Sequence, residues 1–199
     1  MPPKIIAIVG APGSGKSFLV QKLAEHYQAE AFLEGEESIF PEFILESLKK
    51  NEYDLKMIKW FRNQRIKEIK EAQKLVMQGK RLILDTFWLS NECYLKVMTD
   101  KKEQLEAVEL CAQDRKNLPL PDLIIYLKAS ENVIRKFMEQ RKRSFEDENH
   151  VDQALEIEKE HEQVFTSKKF KNLIILPRDN LDFNRKEDLD QIINIIDSS

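Results

Sequence analysis

Lys4-Ile5-Ile6-Ala7-Ile8-Val9 is a short, unbroken apolar run, mostly of branched residues. Such a run is the pattern of a strand buried on both faces. Similar runs recur at Ala31-Phe32-Leu33, Arg81-Leu82-Ile83-Leu84, Leu123-Ile124-Ile125-Tyr126-Leu127 and Leu173-Ile174-Ile175-Leu176. Long charged segments with helical spacing separate them. Between about Tyr53 and Gln78, the residues Ile58, Phe61, Arg65, Ile69, Ala72 and Val76 step by three or four and share one helical stripe. Gly79, free to adopt positive φ, then ends that helix. A second long helix is expected from roughly Val151 to Phe170. Strand and helix alternate without repeat, low-complexity tract or linker. The pattern predicts an α/β fold, a single domain over residues 1–199 with a five-stranded parallel sheet flanked by helices.

Composition narrows the function classes. With 35 acidic and 32 basic residues among 199, the chain lacks the basic excess that nucleic-acid polymers or anionic membranes attract. A hydrophobic fraction of 42% supports a real core and excludes disorder as the main state. No apolar run approaches the roughly 20 residues of a membrane span, and the amino terminus lacks a signal peptide's apolar region. Two cysteines, Cys93 and Cys111, suggest no disulfide framework. These features together predict a cytoplasmic protein. His26, His150 and His161 share no metal spacing with the cysteines and read as surface residues, so no zinc site is expected.

Three of the five glycines, Gly10, Gly13 and Gly15, fall within six residues directly after the first predicted strand. They belong to Gly10-Ala11-Pro12-Gly13-Ser14-Gly15-Lys16-Ser17, the G-x4-G-K-S/T pattern of a phosphate-binding loop. Glycines let successive N–H groups turn inward onto phosphate oxygens, and the helix that follows adds the positive end of its dipole. Lys16 can reach the β- and γ-phosphates, and the Ser17 hydroxyl can ligate Mg²⁺. The spacing lacks the dinucleotide order G-x-G-x-x-G, and no Asn-Lys-x-Asp guanine reader occurs.

Ligands of open α/β sheets gather at the carboxyl ends of the strands. Those ends hold Glu34 and Asp85, either of which can take a proton from an acceptor hydroxyl or hold Mg²⁺ through water. On the long helix, Met57, Trp60, Phe61 and Gln64 lie within about a 100° arc. An aromatic face beside an amide can sandwich a flat ring and pair with its edge, although ordinary core packing accounts for the same spacing. Arg141-Lys142-Arg143-Ser144-Phe145-Glu146 can fold over a phosphoryl group, or can simply complement a helix end.

In order, these pieces resemble the deoxynucleoside kinase family over nearly the full length. The resemblance implies transfer of the γ-phosphate of ATP, with Mg²⁺, to a nucleoside 5′-hydroxyl, as in nucleotide salvage. By it, Glu34 in Glu34-Gly35 corresponds to the catalytic base, and Phe61-Arg62-Asn63-Gln64 matches the helix signature that reads the base. Leu118 to Leu127 resembles the fourth strand. Arg141 and Arg143, with Glu146 on the sugar 3′-hydroxyl, match a lid over about residues 139–150. Leu181-Asp182-Phe183 is similar to the loop near the adenine of ATP. The implied site therefore comprises Gly10, Gly13, Ser14, Gly15, Lys16, Ser17, Asp182 and Phe183 for the donor, and Trp60, Phe61, Gln64, Asn91 and Glu146 for the acceptor. Glu34, Lys16, Asp85, Arg141 and Arg143 carry the transfer, with Ser17 and Asp85 positioning Mg²⁺.

Three positions depart from the family pattern. Asp85-Thr86-Phe87 replaces Asp/Glu-Arg-Ser, and losing that arginine removes a charge contact worth several kcal/mol, on the order of one removed transition-state donor. Asn91 follows Ser90 where the family often has a base-reading aspartate, and Glu71 stands seven residues after Gln64 where an arginine is usual. Base preference does not carry over. A nucleoside monophosphate kinase, with Arg62 and Arg65 as extra cations on the acceptor side, remains an alternative, as does a non-catalytic nucleotide-binding subunit. Family members often pair as homodimers through helices flanking the active site, an expectation resting on analogy alone.

Overall fold

Ile5–Val9 forms β1, buried at all five positions. The computed structural model describes residues 2–34, 39–141, 143, 146–167 and 170–199. In chain order, β1 is followed by α1 (Lys16–Tyr27), β2 (Glu30–Phe32), α2 (Glu42–Lys49), α3 (Leu55–Met77) and β3 (Leu82–Asp85). A 3-10 segment (Trp88–Val97) leads to α4 (Lys101–Asn117), β4 (Leu123–Lys128), α5 (Glu131–Arg141) and α6 (Glu148–Ser167). Then come β5 (Leu173–Pro177), a 3-10 turn (Arg178–Asn180) and α7 (Lys186–Asp197). The strands make one parallel sheet in the order β2-β3-β1-β4-β5. All five expected strands are present, as are both long helices.

Alternation along the strands splits the core into two layers. Ala7, Val9, Leu82, Leu84, Ile124 and Tyr126 pack against Ile69 and Ala72 of α3, Phe87 and Trp88, and Phe165 of α6. The opposite face, with Ile6, Ile8, Ile83 and Ile125, packs against Leu19 and Leu23 of α1 and Ile192 and Ile196 of α7. Both faces of the central strands are covered, which is why they read as continuous apolar runs rather than alternating ones. β5 lies at an edge, and Pro177 ends it where a ladder N–H is not needed.

α3 is set at its start by Asp54, whose carboxylate accepts from the Met57 N–H at 2.7 Å, and the Leu55 N–H donates to Glu103 of α4. Ile58, Arg65, Ile69 and Ala72 of the stripe read from sequence are buried, and the helix ends before Gly79 at φ +86°. The histidine expectation fails for His161. It is buried on α6, stacked between Tyr126 and Phe165, with Nδ1 bonded to the Ile157 carbonyl at 2.9 Å. Among the described residues no helix is long and apolar enough to cross a membrane, and no cluster of three or more His, Cys, Asp or Glu residues is placed to hold a metal ion.

Candidate active site

Register brings the first functional groups together. Ile8 of β1 pairs with Asp85 of β3, so the end of β3 lies level with the start of the glycine-rich loop. Gly15 caps α1 at φ +88°, a left-handed conformation that a Cβ would strain. Gly13 meets α5 so closely that a Cβ would stand 2.9 Å from Met138 Cγ and 3.0 Å from the Ile134 carbonyl. Ser14 is fully buried, and its N–H donates to the Ala11 carbonyl at 3.2 Å, closing the turn. With no side-chain cap and no acid in its first turn, α1 leaves N–H groups for an anion.

A cavity of about 360 Å³ opens over this loop. Gly13, Gly15, Lys16 and Ser17 line one side, and Glu34, Asp85 and Asn91 line the strand-end wall. Arg141, Arg143 and Phe137 line the α5 side, and Tyr53, Met57, Ile58, Phe61, Arg65 and Tyr94 form the apolar wall with its one guanidinium. Gly10 holds the loop's turn at φ +151° without reaching the cavity.

Each charged group has a neighbour that sets its state. Lys16 Nζ donates to the Ala11 carbonyl at 3.0 Å; burial lowers its pKa while Asp85 and Glu34 oppose that shift. Burial alone would raise the Glu34 pKa, but the guanidinium of Arg65 and the ammonium of Lys16 bring it below its ordinary value. Asp85 accepts from the Ser17 hydroxyl, and its other oxygen, Oδ1, is buried without a partner. Burial, reinforced by Glu34, raises the Asp85 pKa. A clamp beneath the loop was not visible in the sequence. Glu158 of α6 accepts from the N–H groups of Ala11 (3.2 Å) and Ala129 (3.1 Å) and from the Tyr126 hydroxyl (2.6 Å).

The helix face toward the cavity differs from the one expected. Met57 and Phe61 line it, with Ile58 and Arg65, whereas Trp60 and Gln64 do not. Trp60 turns instead to Phe40, edge to face at 5.6 Å. Arg65, 5% exposed, donates to Glu34 and, through Nη1, to Asn91 Oδ1 at 2.5 Å. Asn91 thus has an arginine partner, Arg65, six residues before Glu71, which is exposed and paired with Lys74. Arg62 is held by both oxygens of Asp114 on α4, away from the cavity. Of the Phe-x-x-Gln match, Phe61 borders the cavity and Gln64 does not, while the buried stripe contributes Ile58 and Arg65 to its wall.

Arg141 pairs with Glu146, its Nε at 2.8 Å, and Arg143 Nη1 lies 3.8 Å from the same carboxylate. Gly35, Lys142, Ser144 and Phe145 lie outside the described residues. Phe183 is buried beneath the loop, 4.1 Å from the guanidinium of Arg178, and Asp182 is exposed; neither lines the cavity. Arg178, which no pattern along the chain singled out, also stands against Gly15. Thr86 takes φ +72°, a rare conformation for a β-branched residue, and its N–H donates to the Ile8 carbonyl at 2.8 Å.

A parallel sheet in this order, a phosphate-cradling loop and an acidic wall facing it define the P-loop phosphotransferases. Residues 6–198 match the family model described as deoxynucleoside kinase. The chain belongs to the deoxynucleoside kinase family and is a nucleoside kinase, an enzyme that moves a phosphoryl group onto a nucleoside. A deoxyadenosine kinase of Lactobacillus acidophilus is 28% identical over 155 residues, 72% of this chain and 69% of that one. The M. mycoides deoxyadenosine kinase solved with bound dATP superposes with a TM-score of 0.78 at 22% identity, over 97% of this chain and 99% of that one. Thymidylate kinase from Candida albicans gives 0.70 at 22% identity, over 99% and 92%. At such identities the solved structures speak for the fold.

Proposed function

We propose that the chain uses ATP and Mg²⁺ to phosphorylate the 5′-hydroxyl of a deoxynucleoside. The observation that carries this reading is a single cavity in which Lys16 and Asp85 face Glu34 beside flat apolar walls. Backbone N–H groups at Gly13 and Gly15, with Lys16, hold the donor phosphates. Asp85 Oδ1 and the Ser17 hydroxyl form a hard oxygen pair that suits Mg²⁺, and the ion bound there would neutralise charge along those phosphates. Glu34, kept ionised by Arg65 and Lys16, accepts the hydrogen bond of the acceptor alcohol. Phosphoryl transfer through a loose transition state releases the alcohol proton late, so a carboxylate of low basicity is sufficient. Arg141 and Arg143 reach the transferring group from the lid, where Glu146 shares their charge and is placed for the sugar 3′-hydroxyl. Tyr53, Phe61 and Tyr94 flank the base.

A monophosphate kinase would need uncommitted cations on the acceptor side. Arg62 is engaged by Asp114 and Arg65 by Glu34, which disfavours that reading. Labelled ATP with a panel of deoxynucleosides and their monophosphates tests the proposal. Label should pass to nucleosides; transfer only to monophosphates, or tight ATP binding without transfer to either, would overturn it.

A further inference from the structure

Glu158 of α6 is a buried carboxylate outside the cavity wall, 8% exposed. Its two oxygens are divided between two loops. Oε2 accepts from the N–H of Ala11, in the loop after β1. Oε1 accepts from the N–H of Ala129, between β4 and α5, and from the Tyr126 hydroxyl. An ionised carboxylate only accepts, so three donors match it. Burial pushes its pKa up to about 7, against the pull of those three bonds and of the Lys16 ammonium. A buried carboxylate is an expensive fastening for a scaffold, since apolar packing of similar volume does as well or better.

What each loop carries gives the fastening its use. The Ala11 carbonyl accepts from Lys16 Nζ at 3.0 Å and from the Ser14 N–H, so this one residue joins Glu158 to the lysine. Ala129 leads into α5, whose Phe137 and Arg141 line the cavity. α5 also touches the glycine-rich loop where Gly13 meets Ile134 and Met138. One contact is a pivot; with the bond through Glu158 there are two, and two points fix the inclination of α5 to the loop. At a rise of about 1.5 Å per residue, Ala129 and Arg141 lie at comparable distances on either side of that pivot, so a slip of about 1 Å at the first reaches the second at roughly the same size. Misplacement of that order lowers a rate by up to about 10²-fold. We propose that Glu158 is a positioning residue for phosphoryl transfer, bridging the loops after β1 and β4 so that Lys16 and Arg141 converge on one phosphoryl group. The inference rests on the phosphotransfer reading above and adds to it a residue that lies outside the cavity.

Three variants separate alignment from mere support. E158Q keeps the length and loses the charge; its amide oxygen serves the Oε1 side, where two donors meet, which sets its NH2 group against the Ala11 N–H. E158D keeps the charge but is one methylene too short to reach both loops. Y126F removes the hydroxyl and leaves both backbone bonds. Initial rates are measured with ATP and whichever of the four common deoxynucleosides the unmodified chain phosphorylates fastest, per folded molecule and well below each Tm. In E158Q and E158D kcat should fall about 10–100-fold with the nucleoside KM within about twofold of native. Y126F should lower Tm and keep kcat within about twofold. Native kcat in a folded E158Q or E158D, a loss carried by the nucleoside KM, or an equal loss of kcat in Y126F would overturn the inference and leave the kinase reading standing. So would failure of both E158Q and E158D to fold, which would make Glu158 a scaffold residue. No transfer to any of the four by the unmodified chain would overturn the kinase reading and the inference with it.

Discussion

Replacing Arg65 with methionine removes one charge from the centre of the acceptor wall while keeping much of the side-chain volume. Arg65 is almost fully buried, and the Glu34 side chain is 28% exposed. Two unit charges about 4 Å apart at an effective dielectric of 20 attract by about 4 kcal/mol. Losing one partner of a buried pair costs about 3–5 kcal/mol, because the other charge remains without compensation. Here Glu34 keeps partial solvent contact and the field of Lys16, so we expect a net loss of about 2 kcal/mol at pH 7. For a chain of this size that corresponds to a fall in Tm of about 4–8 °C. The sign of the pH dependence follows from Glu34. In the native chain its pKa lies below the ordinary 4.5, so the pair's stabilisation is present above that pH and is lost as pH falls through the lowered value. Without Arg65, burial raises the Glu34 pKa, and protonation relieves the stranded charge at a higher pH. The Tm deficit of R65M should therefore shrink between pH 7 and pH 5, while the acid limb of kcat moves upward. A deficit of constant size across that range would mean that packing alone was lost, and the charge argument would be wrong.

Other outcomes follow from the same geometry. K16A should abolish ATP-dependent transfer with an unchanged circular-dichroism spectrum, since among the described residues the hydrogen bond of Lys16 Nζ goes to a loop carbonyl. E34Q should lower kcat by about 10²–10⁴, the usual contribution of a positioned base, with nucleoside Kd little changed; turnover at the native level would remove Glu34 from that role. His161 is held neutral by burial, with its pKa lowered to about 3 from 6.5. Between those values the unfolded chain binds the extra proton, so this residue lowers stability by about 1.4 kcal/mol per pH unit as pH falls below 6.5. Denaturant unfolding of H161F should show a correspondingly flatter acid slope, and identical slopes would contradict the assignment.

What the sequence made legible was whatever local chemistry enforces. Strands buried on both faces must be apolar throughout, and Gly13 and Gly15 mark backbone that no other residue enters without strain, so the sheet and the phosphate loop could be read directly. The face of α3 was harder. An aromatic beside a glutamine looked like a base reader, but Trp60 finds Phe40, and the helix phase is set by burying Ile58, Arg65 and Ile69. A buried arginine at helical spacing looks like any stripe position until its partners arrive from elsewhere in the chain, Glu34 from beyond β2 and Asn91 from the 3-10 segment after β3. His161 was hidden for the opposite reason. Its immediate neighbours are charged, while the informative signal lay four residues to either side, in Ile157 and Phe165. Glu158 gave no signal, because its partners are two backbone N–H groups and the hydroxyl of Tyr126 on a distant strand.

α3 works on two flanks at once. One flank is pinned to α4 by the grip of Arg62 on Asp114, and the next turn delivers Arg65 to the cavity wall. Rotation of the helix by a few degrees would slacken the first contact and misaim the second. On the proposed reading of the cavity, substrate choice and scaffold strength are mechanically geared together, and a change at buried Asp114 of α4 should be felt in which nucleoside is preferred.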